Sequence, residues 1–450
     1  MGRPLRLAWL ALCTSLVACA ASAQDRVHEV LDVSLDPATG RISVKADVTA
    51  GGSAQDVEFL LHGRMRITKA EPAVREVPVG DVSWLGEIEG GEPQRGAPVK
   101  RYRVALPAAG ASFHLEYEGV FDFALSDARE EYTRGFRSTP GIVSTQGVYL
   151  TGASGWYPLV GRALVTFELA VTQPSHWRVV SEGAGSSRGD DGRARWTSRD
   201  PVDQIHLVGG PLQVATQAAG AVEAQVYLHE ADPALAGKYL AATAQYLELY
   251  RGLIGPYPYA KFALVENFWE TGYGMPSFTL LGPQIIRFPF IITSSYPHEI
   301  LHNWWGNSVF VDETRGNWSE GLTAYLADHL MQEQRGEDTT YRRSTLQKYR
   351  DYVSSAQDFP LVEFRGRHSA ATEAVGYGRT MMGFHALRRK VGDDAFRSFL
   401  ARFYRDFRGK RASFDDVRVV MERVSGRDLG RFFEDNPGVY LSFLGARFIE

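Results

Sequence analysis

The sequence predicts an α+β protein in two parts: an N-terminal antiparallel β-domain, then a mostly helical domain with a small sheet. Three observations predict it. Apolar and polar residues alternate in short runs from residue 25 to about 215. From about 216 the apolar residues recur at helical spacing instead. The chain has 450 residues, enough for two to three domains at about 150 residues each.

The first 23 residues read as a signal peptide. Arg3 and Arg6 form a short basic region, an apolar stretch runs from Leu7 to Ala20, and Ala21-Ser22-Ala23 offers a small-x-small cleavage site. The stretch is shorter than the ~20 residues of a membrane span. Leu16-Val17-Ala18-Cys19 also reads as a bacterial lipobox, so plain secretion and a lipid anchor at Cys19 both stand. Either way the chain is expected outside the cytoplasm: periplasmic, secreted, or anchored to the outer membrane.

The first body segment, 24–215, has the look of a β-sandwich or saddle. Val30, Leu31, Val33 and Leu35 face Ile42, Val44 and Val48 across the turn Asp36-Pro37-Ala38-Thr39-Gly40, which predicts a hairpin. Further strand-like runs are 57–61, 102–106, 113–121, 165–171, 177–181 and 205–208, separated by charged and glycine-rich loops such as Gly90–Gly96. In the second segment, 216–450, Leu235, Tyr239, Leu240, Tyr246, Leu247, Tyr250 and Leu253 predict a helix that Gly255-Pro256-Tyr257-Pro258 stops. A strand-like run, 265–281, precedes a His-Glu helix. Helices are predicted around 320–334, over 379–408 and, in pieces, over 414–433.

Composition narrows the chemistry. A formal net charge of −4 argues against a nucleic-acid partner, which needs a basic face. The only cysteines, Cys13 and Cys19, lie in the leader, so the body holds no disulfide, thiol nucleophile or thiolate ligand. Any metal must be held by His, Asp and Glu.

His298-Glu299-Ile300-Leu301-His302 supplies such a site. On a helix, positions four apart share one face, so both imidazoles can reach one ion. Thr293, Ser294 and Ser295 are candidate N-caps, and Pro297 is tolerated only in a first turn, which places the helix start just before the ligands. Glu299 points beside the metal, where it can take a proton from an activated water and return it to a leaving amine. A hydrolytic zinc site needs a third protein ligand and an open position. Glu320, in Asn317-Trp318-Ser319-Glu320-Gly321, supplies it, with seventeen residues after His302 for a loop and a returning helix. Two histidines and a glutamate suit Zn²⁺, one per chain. Asp328, two turns on, either orients a ligand or lies on a solvated helix face.

With these residues in place, the chain resembles the membrane alanyl aminopeptidase and leukotriene hydrolase family of zinc metallopeptidases, the gluzincins. His298 to Asn307 follows the pattern His-Glu-x-x-His-x-Trp-x-Gly-Asn, and Trp318-Ser319-Glu320-Gly321 follows Trp-Leu-Asn-Glu-Gly. Gly255 to Lys261, Gly272-Tyr273-Gly274-Met275-Pro276-Ser277 and Tyr377-Gly378-Arg379 fall in family order, as do Trp156-Tyr157-Pro158, Val180 to Gly183 and Val208-Gly209-Gly210 in the β-part. The resemblance spans about residues 27 to 435.

The resemblance implies a thermolysin-like catalytic domain, zinc ligation by His298, His302 and Glu320, and Glu299 as general base and acid. It implies Tyr377 as donor to the oxyanion, and substrate contacts at Gly274, Met275, Pro276 and Ser277. It also implies a short form without the family's C-terminal helical domain. Two local departures stand out. The spacing to Glu320 is one residue shorter than usual. Pro276 and Ser277 replace the Glu and Asn of the family's Gly-Ala-Met-Glu-Asn segment, whose glutamate grips the substrate's free amine. Glu270 and Glu266, both just upstream, have two readings: a substitute for that grip, or a structural role.

Three readings of function follow: an aminopeptidase acting on peptides, an endo- or oligopeptidase without amine recognition, and a binding protein on the same fold. The substrate is expected to dock as a strand along Phe278–Leu281. Arg365-Gly366-Arg367-His368 reads as a solvated loop, with contact to a substrate carboxylate as the alternative.

Overall fold

The structure is a computed structural model that describes residues 26–52, 55–85, 98–127 and 137–434. The expected leader, with Cys13 and Cys19, and the Gly90–Gly96 loop lie outside these residues.

The predicted hairpin is present: Arg26–Asp36 pairs antiparallel with Arg41–Ala50, Val33 opposite Val44 and Leu35 opposite Ile42. Alternation buries Leu31, Val33, Ile42, Val44, Ala46 and Val48 on one face. The hairpin sits inside a seven-stranded sheet ordered 184–186, 194–202, 164–172, 26–36, 41–50, 112–120, 66–71. One expectation fails here. Strand 26–36 runs parallel to strand 164–172, so the sheet is mixed rather than antiparallel. A parallel neighbour needs a long crossover, and the chain supplies one between residues 36 and 164. A four-stranded and a three-stranded sheet complete this part.

A five-stranded sheet opens the second part, ordered 213–219, 222–228, 261–266, 278–281, 272–275. The strand-like run 265–281 therefore divides into three pieces. The predicted boundary at 215/216 falls inside the first strand of this sheet. Strands 222–228, 261–266 and 278–281 are parallel and buried, and antiparallel strands close both edges. The helix Pro233–Leu253 crosses between the first two parallel strands. Pro233 opens it, and the Asp232 carboxylate accepts from the Leu235 amide.

The metal-site helix spans Ser295–Leu301, with Pro297 in its first turn. Its start matches the sequence, but no side chain caps it: the Ser294 hydroxyl donates to the Phe290 carbonyl at 2.9 Å. A second helix runs from Ser319 to Glu333. The predicted helix 379–408 breaks at Gly392 (φ +92°) into Thr380–Val391 and Asp393–Phe407. Behind the site, Trp305, Trp318 and Phe403 pack edge and face. The Trp318 indole N–H donates to the Ala412 carbonyl at 2.7 Å. Gly321 lets the second helix approach the helix 380–391, because a Cβ there would lie 2.2 Å from Thr380 Cγ2.

Candidate metal centre

His298 lies in the short helix, and His302 caps its end with helical dihedrals. Their rings stand 4.8 Å apart, as spacing by four dictates. Glu320 enters from the first turn of the second helix. One ligand atom from each of the three lies within 4.8 Å of the others. His298 Nε2 is 3.5 Å and His302 Nε2 3.4 Å from Glu320 Oε2.

The opposite ring nitrogens are already engaged. His302 Nδ1 donates to the Trp305 carbonyl at 3.0 Å, and His298 Nδ1 faces the Asp328 carboxylate at 3.2 Å. Both partners are acceptors, so Nδ1 carries the proton and each Nε2 lone pair points inward. Asp328 is thus an orienting partner, the first of its two sequence readings.

Glu320 Oε2 is buried with no hydrogen-bond partner. An orphaned carboxylate oxygen between two imidazole lone pairs is a donor set that a divalent cation completes. The local electrostatics agree. Burial pushes the Glu320 carboxyl up, yet the two histidines outweigh it and hold it far below the carboxylate range. Burial pushes both imidazoles down, yet Asp328 at His298 and Glu320 at His302 outweigh it and hold them above the usual range. The pocket favours positive charge.

Around this set stand Glu299 and Tyr377. A Cβ built on Gly274 would fall 2.2 Å from Glu299 Oε2, so the bare backbone of residue 274 directly faces that carboxylate. Tyr377 stacks on His298 with ring centres 6.2 Å apart. Burial, then the Glu320 carboxylate, raises its hydroxyl well above the usual phenol range, so it stays a donor. Arg367 lies over the Tyr377 ring at 5.6 Å, so the 365–368 loop borders the site.

Residues 292–435 match the peptidase family M1 domain. Among known proteins, the chain is 22% identical over 309 residues to a leucine aminopeptidase 2 of Aspergillus niger, covering 65% of this chain and 44% of that protein. It is 27% identical over 182 residues to a leucine aminopeptidase 2 of Coccidioides immitis, covering 37% and 29%. The matches thus span less than half the length of these curated relatives. Its fold superposes on the M1 zinc metallopeptidase of Deinococcus radiodurans with a TM-score of 0.66 at 21% identity, covering 93% of this chain and 94% of that one. Native yeast LTA4 hydrolase gives 0.63 at 14% identity, covering 90% and 67%. These likenesses establish the two-part fold.

Several expectations for the substrate groove change. Strand Phe278–Leu281 cannot receive a peptide, because it pairs with 261–266 on one side and 272–275 on the other. The sheet edge is Gly272–Met275. Met275 and Pro276 are buried. The Ser277 side chain is wholly buried and turns into the protein, where its oxygen accepts from Lys261 Nζ and the Gly183 amide. Glu266 is occupied: Arg287 donates to Oε1 at 2.6 Å and the His229 amide to Oε2 at 2.8 Å. Glu270 precedes the edge strand at the end opposite Gly274, and the Gln284 amide binds its Oε1 at 2.8 Å.

Two features escaped the sequence. Asp328 and Tyr377 both lie in π-helical turns, 325–329 and 374–379, which shift side chains relative to a regular helix. Asn303 joins the groove to the metal helix: its Oδ1 accepts from the Ser277 amide at 2.7 Å, and its Nδ2 donates to the carbonyls of Ile300 and Glu299.

Proposed function

We propose that the chain is a zinc peptidase that receives a peptide as an added strand on the edge Gly272–Met275 and acts as an aminopeptidase. The observation that carries this is the juxtaposition of Glu299 with residue 274 of an open sheet edge, beside the set His298, His302 and Glu320. His298, His302 and Glu320 would hold one zinc, which supplies Lewis acidity when bound.

The chain's own groups do the rest. Backbone N–H and C=O of the edge strand align an extended peptide by β-augmentation. Glu299 takes the proton of the attacking water and returns it to the leaving amine. Tyr377 donates to the oxygen that gains charge at the attacked carbonyl. Two positions further support peptides as substrate class: a D. radiodurans M1 zinc metallopeptidase mutant has been solved with a Tyr-Ser-Ala substrate, and the curated relatives are leucine aminopeptidases. The leader sequence supports export.

A second reading, cleavage without recognition of a free amine, is favoured by Pro276 and by the engagement of Glu266. Mass spectrometry of one peptide set, with free and with acetylated N-termini, separates the two. Stepwise loss of single residues, stopped by acetylation, supports the aminopeptidase. Internal cuts indifferent to acetylation replace it with the second reading. Glu299→Gln should abolish either activity while keeping the metal; no cleavage by the parent chain would overturn both readings.

A further inference from the structure

The turn that closes the groove is built against the preferences of its residues. Met275 pairs with Phe278, leaving Pro276-Ser277 as a two-residue turn. Proline first and positive φ second is the pattern of a type II turn, where Gly or Asn ordinarily stands at the second place. Here Ser277 stands there at φ +67°, alone among the described non-glycine residues in having positive φ. Pro276 fits the first place because its ring presets φ. Serine has no such excuse, and something must hold it.

What holds it is a set of bonds to every polar atom of Ser277. Its amide donates to Asn303 Oδ1 at 2.7 Å. Its carbonyl accepts from the Ala263 amide at 3.0 Å and from Lys261 Nζ at 3.3 Å. Its hydroxyl oxygen accepts from Lys261 Nζ at 2.8 Å and from the Gly183 amide at 3.1 Å. Lys261 is 2% exposed, and its Nζ lies over the rings of Trp196 and Phe278 at 4.8 and 5.4 Å. Among the described residues, the Nζ hydrogen bonds go to Ser277 alone, and no carboxylate pairs with the ammonium. Burial pushes the ammonium down to about 7, against the pull of Glu182 and Glu223. In either protonation state the nitrogen keeps an N–H for Ser277. Burying an amine without a counter-ion is costly, and the protein retains it at the one strained turn beside Glu299.

We propose that Lys261 is a positioning residue for peptide binding: by locking Ser277 in its left-handed conformation, it holds the edge strand Gly272–Met275 in register with Glu299. Gly183 and Trp196 come from the N-terminal part, so that part takes a share in shaping the groove. This rests on the edge being the docking strand, as proposed above.

The test uses the full chain with Glu299→Gln, which should bind peptide without cutting it, and calorimetry with a short unmodified peptide. Adding Lys261→Met should raise Kd about tenfold, the scale of one lost charge-assisted hydrogen bond, with zinc content and melting temperature recorded alongside. Ser277→Ala, which removes only the acceptor oxygen, should do the same and stands in if Lys261→Met does not fold. Glycine adopts this φ without strain. In a Ser277→Gly background, Lys261→Met should therefore change Kd by less than about twofold, a rescue that a mere packing role would not produce. If folded, zinc-loaded Lys261→Met (or Ser277→Ala in its place) binds within twofold of its parent, or if the glycine background gives no rescue, the proposal is overturned. No peptide binding by the parent, together with no cleavage by the unmutated chain, would instead overturn the proposed function and this inference with it.

Discussion

Gly274→Ala perturbs the Glu299 carboxylate, the proposed general base, with a single methyl group. The added Cβ would lie 2.2 Å from Glu299 Oε2 and 3.4 Å from its Cδ, while His302 Cδ2 stays at 3.6 Å, an ordinary contact. Residue 274 is not in the left-handed region, so alanine fits its backbone. The only group obliged to move is the Glu299 carboxylate, by about 1 Å or more, to reach van der Waals distance. A misplacement of that size costs about 100-fold in rate, and a general base contributes about 100- to 10,000-fold in all. The expected loss is therefore about 100-fold in kcat, or about 2.7 kcal/mol, with zinc content unchanged. Because the displaced atoms end a flexible side chain, the melting temperature should barely shift. Steady-state hydrolysis of one peptide, metal analysis and a thermal melt on the same preparation decide it. Combined with Glu299→Gln, the alanine should cost nothing further, since both act through one carboxylate. A kcat within threefold of the parent, at full zinc content, would refute the assignment of Glu299 as the base facing the groove.

Other outcomes follow from single contacts. Asp328→Asn exchanges the carboxylate 3.2 Å from His298 Nδ1 for a neutral amide; competition with a chelator should show zinc held about 10- to 100-fold more weakly, and unchanged affinity would make Asp328 a bystander. Tyr377→Phe removes the only hydroxyl of a ring stacked on His298; kcat should fall about 100-fold or more with little change in KM or zinc content. A raised KM with kcat unchanged would instead mark Tyr377 as a contact made equally in the ground state.

The metal set was legible because it is local. His298 and His302 need only helical spacing, and Glu320 needs only a loop and a returning helix, which their numbering supplies. The groove was not legible because strand order is a tertiary fact. Phe278–Leu281 has the apolar run of a strong strand, and that very run places it inside the sheet. The edge falls to Gly272–Met275, whose glycines make it a weak strand candidate but let a peptide and Glu299 approach closely. Pro276-Ser277 misled for a related reason. Beside the family segment it reads as a lost amine clamp, whereas in the fold it is also turn chemistry supported from Lys261 and Asn303. The parallel pairing of 26–36 with 164–172 joins residues far apart in sequence, and alternation alone gives no direction. The π-helical turns that carry Asp328 and Tyr377 leave no mark in apolar periodicity. The metal-helix cap failed because Ser294 bonds backward to the Phe290 carbonyl, a local competitor that serines commonly use.

The central claim is that His298, His302 and Glu320 form a zinc site that powers hydrolysis. Elemental analysis of the purified chain and of its His302→Ala variant, alongside peptide hydrolysis by each, tests it most directly. The account predicts about one zinc per chain in the parent, with metal and hydrolysis lost together in the variant. A parent without stoichiometric zinc, or a variant equal to it in metal and activity, would contradict the account.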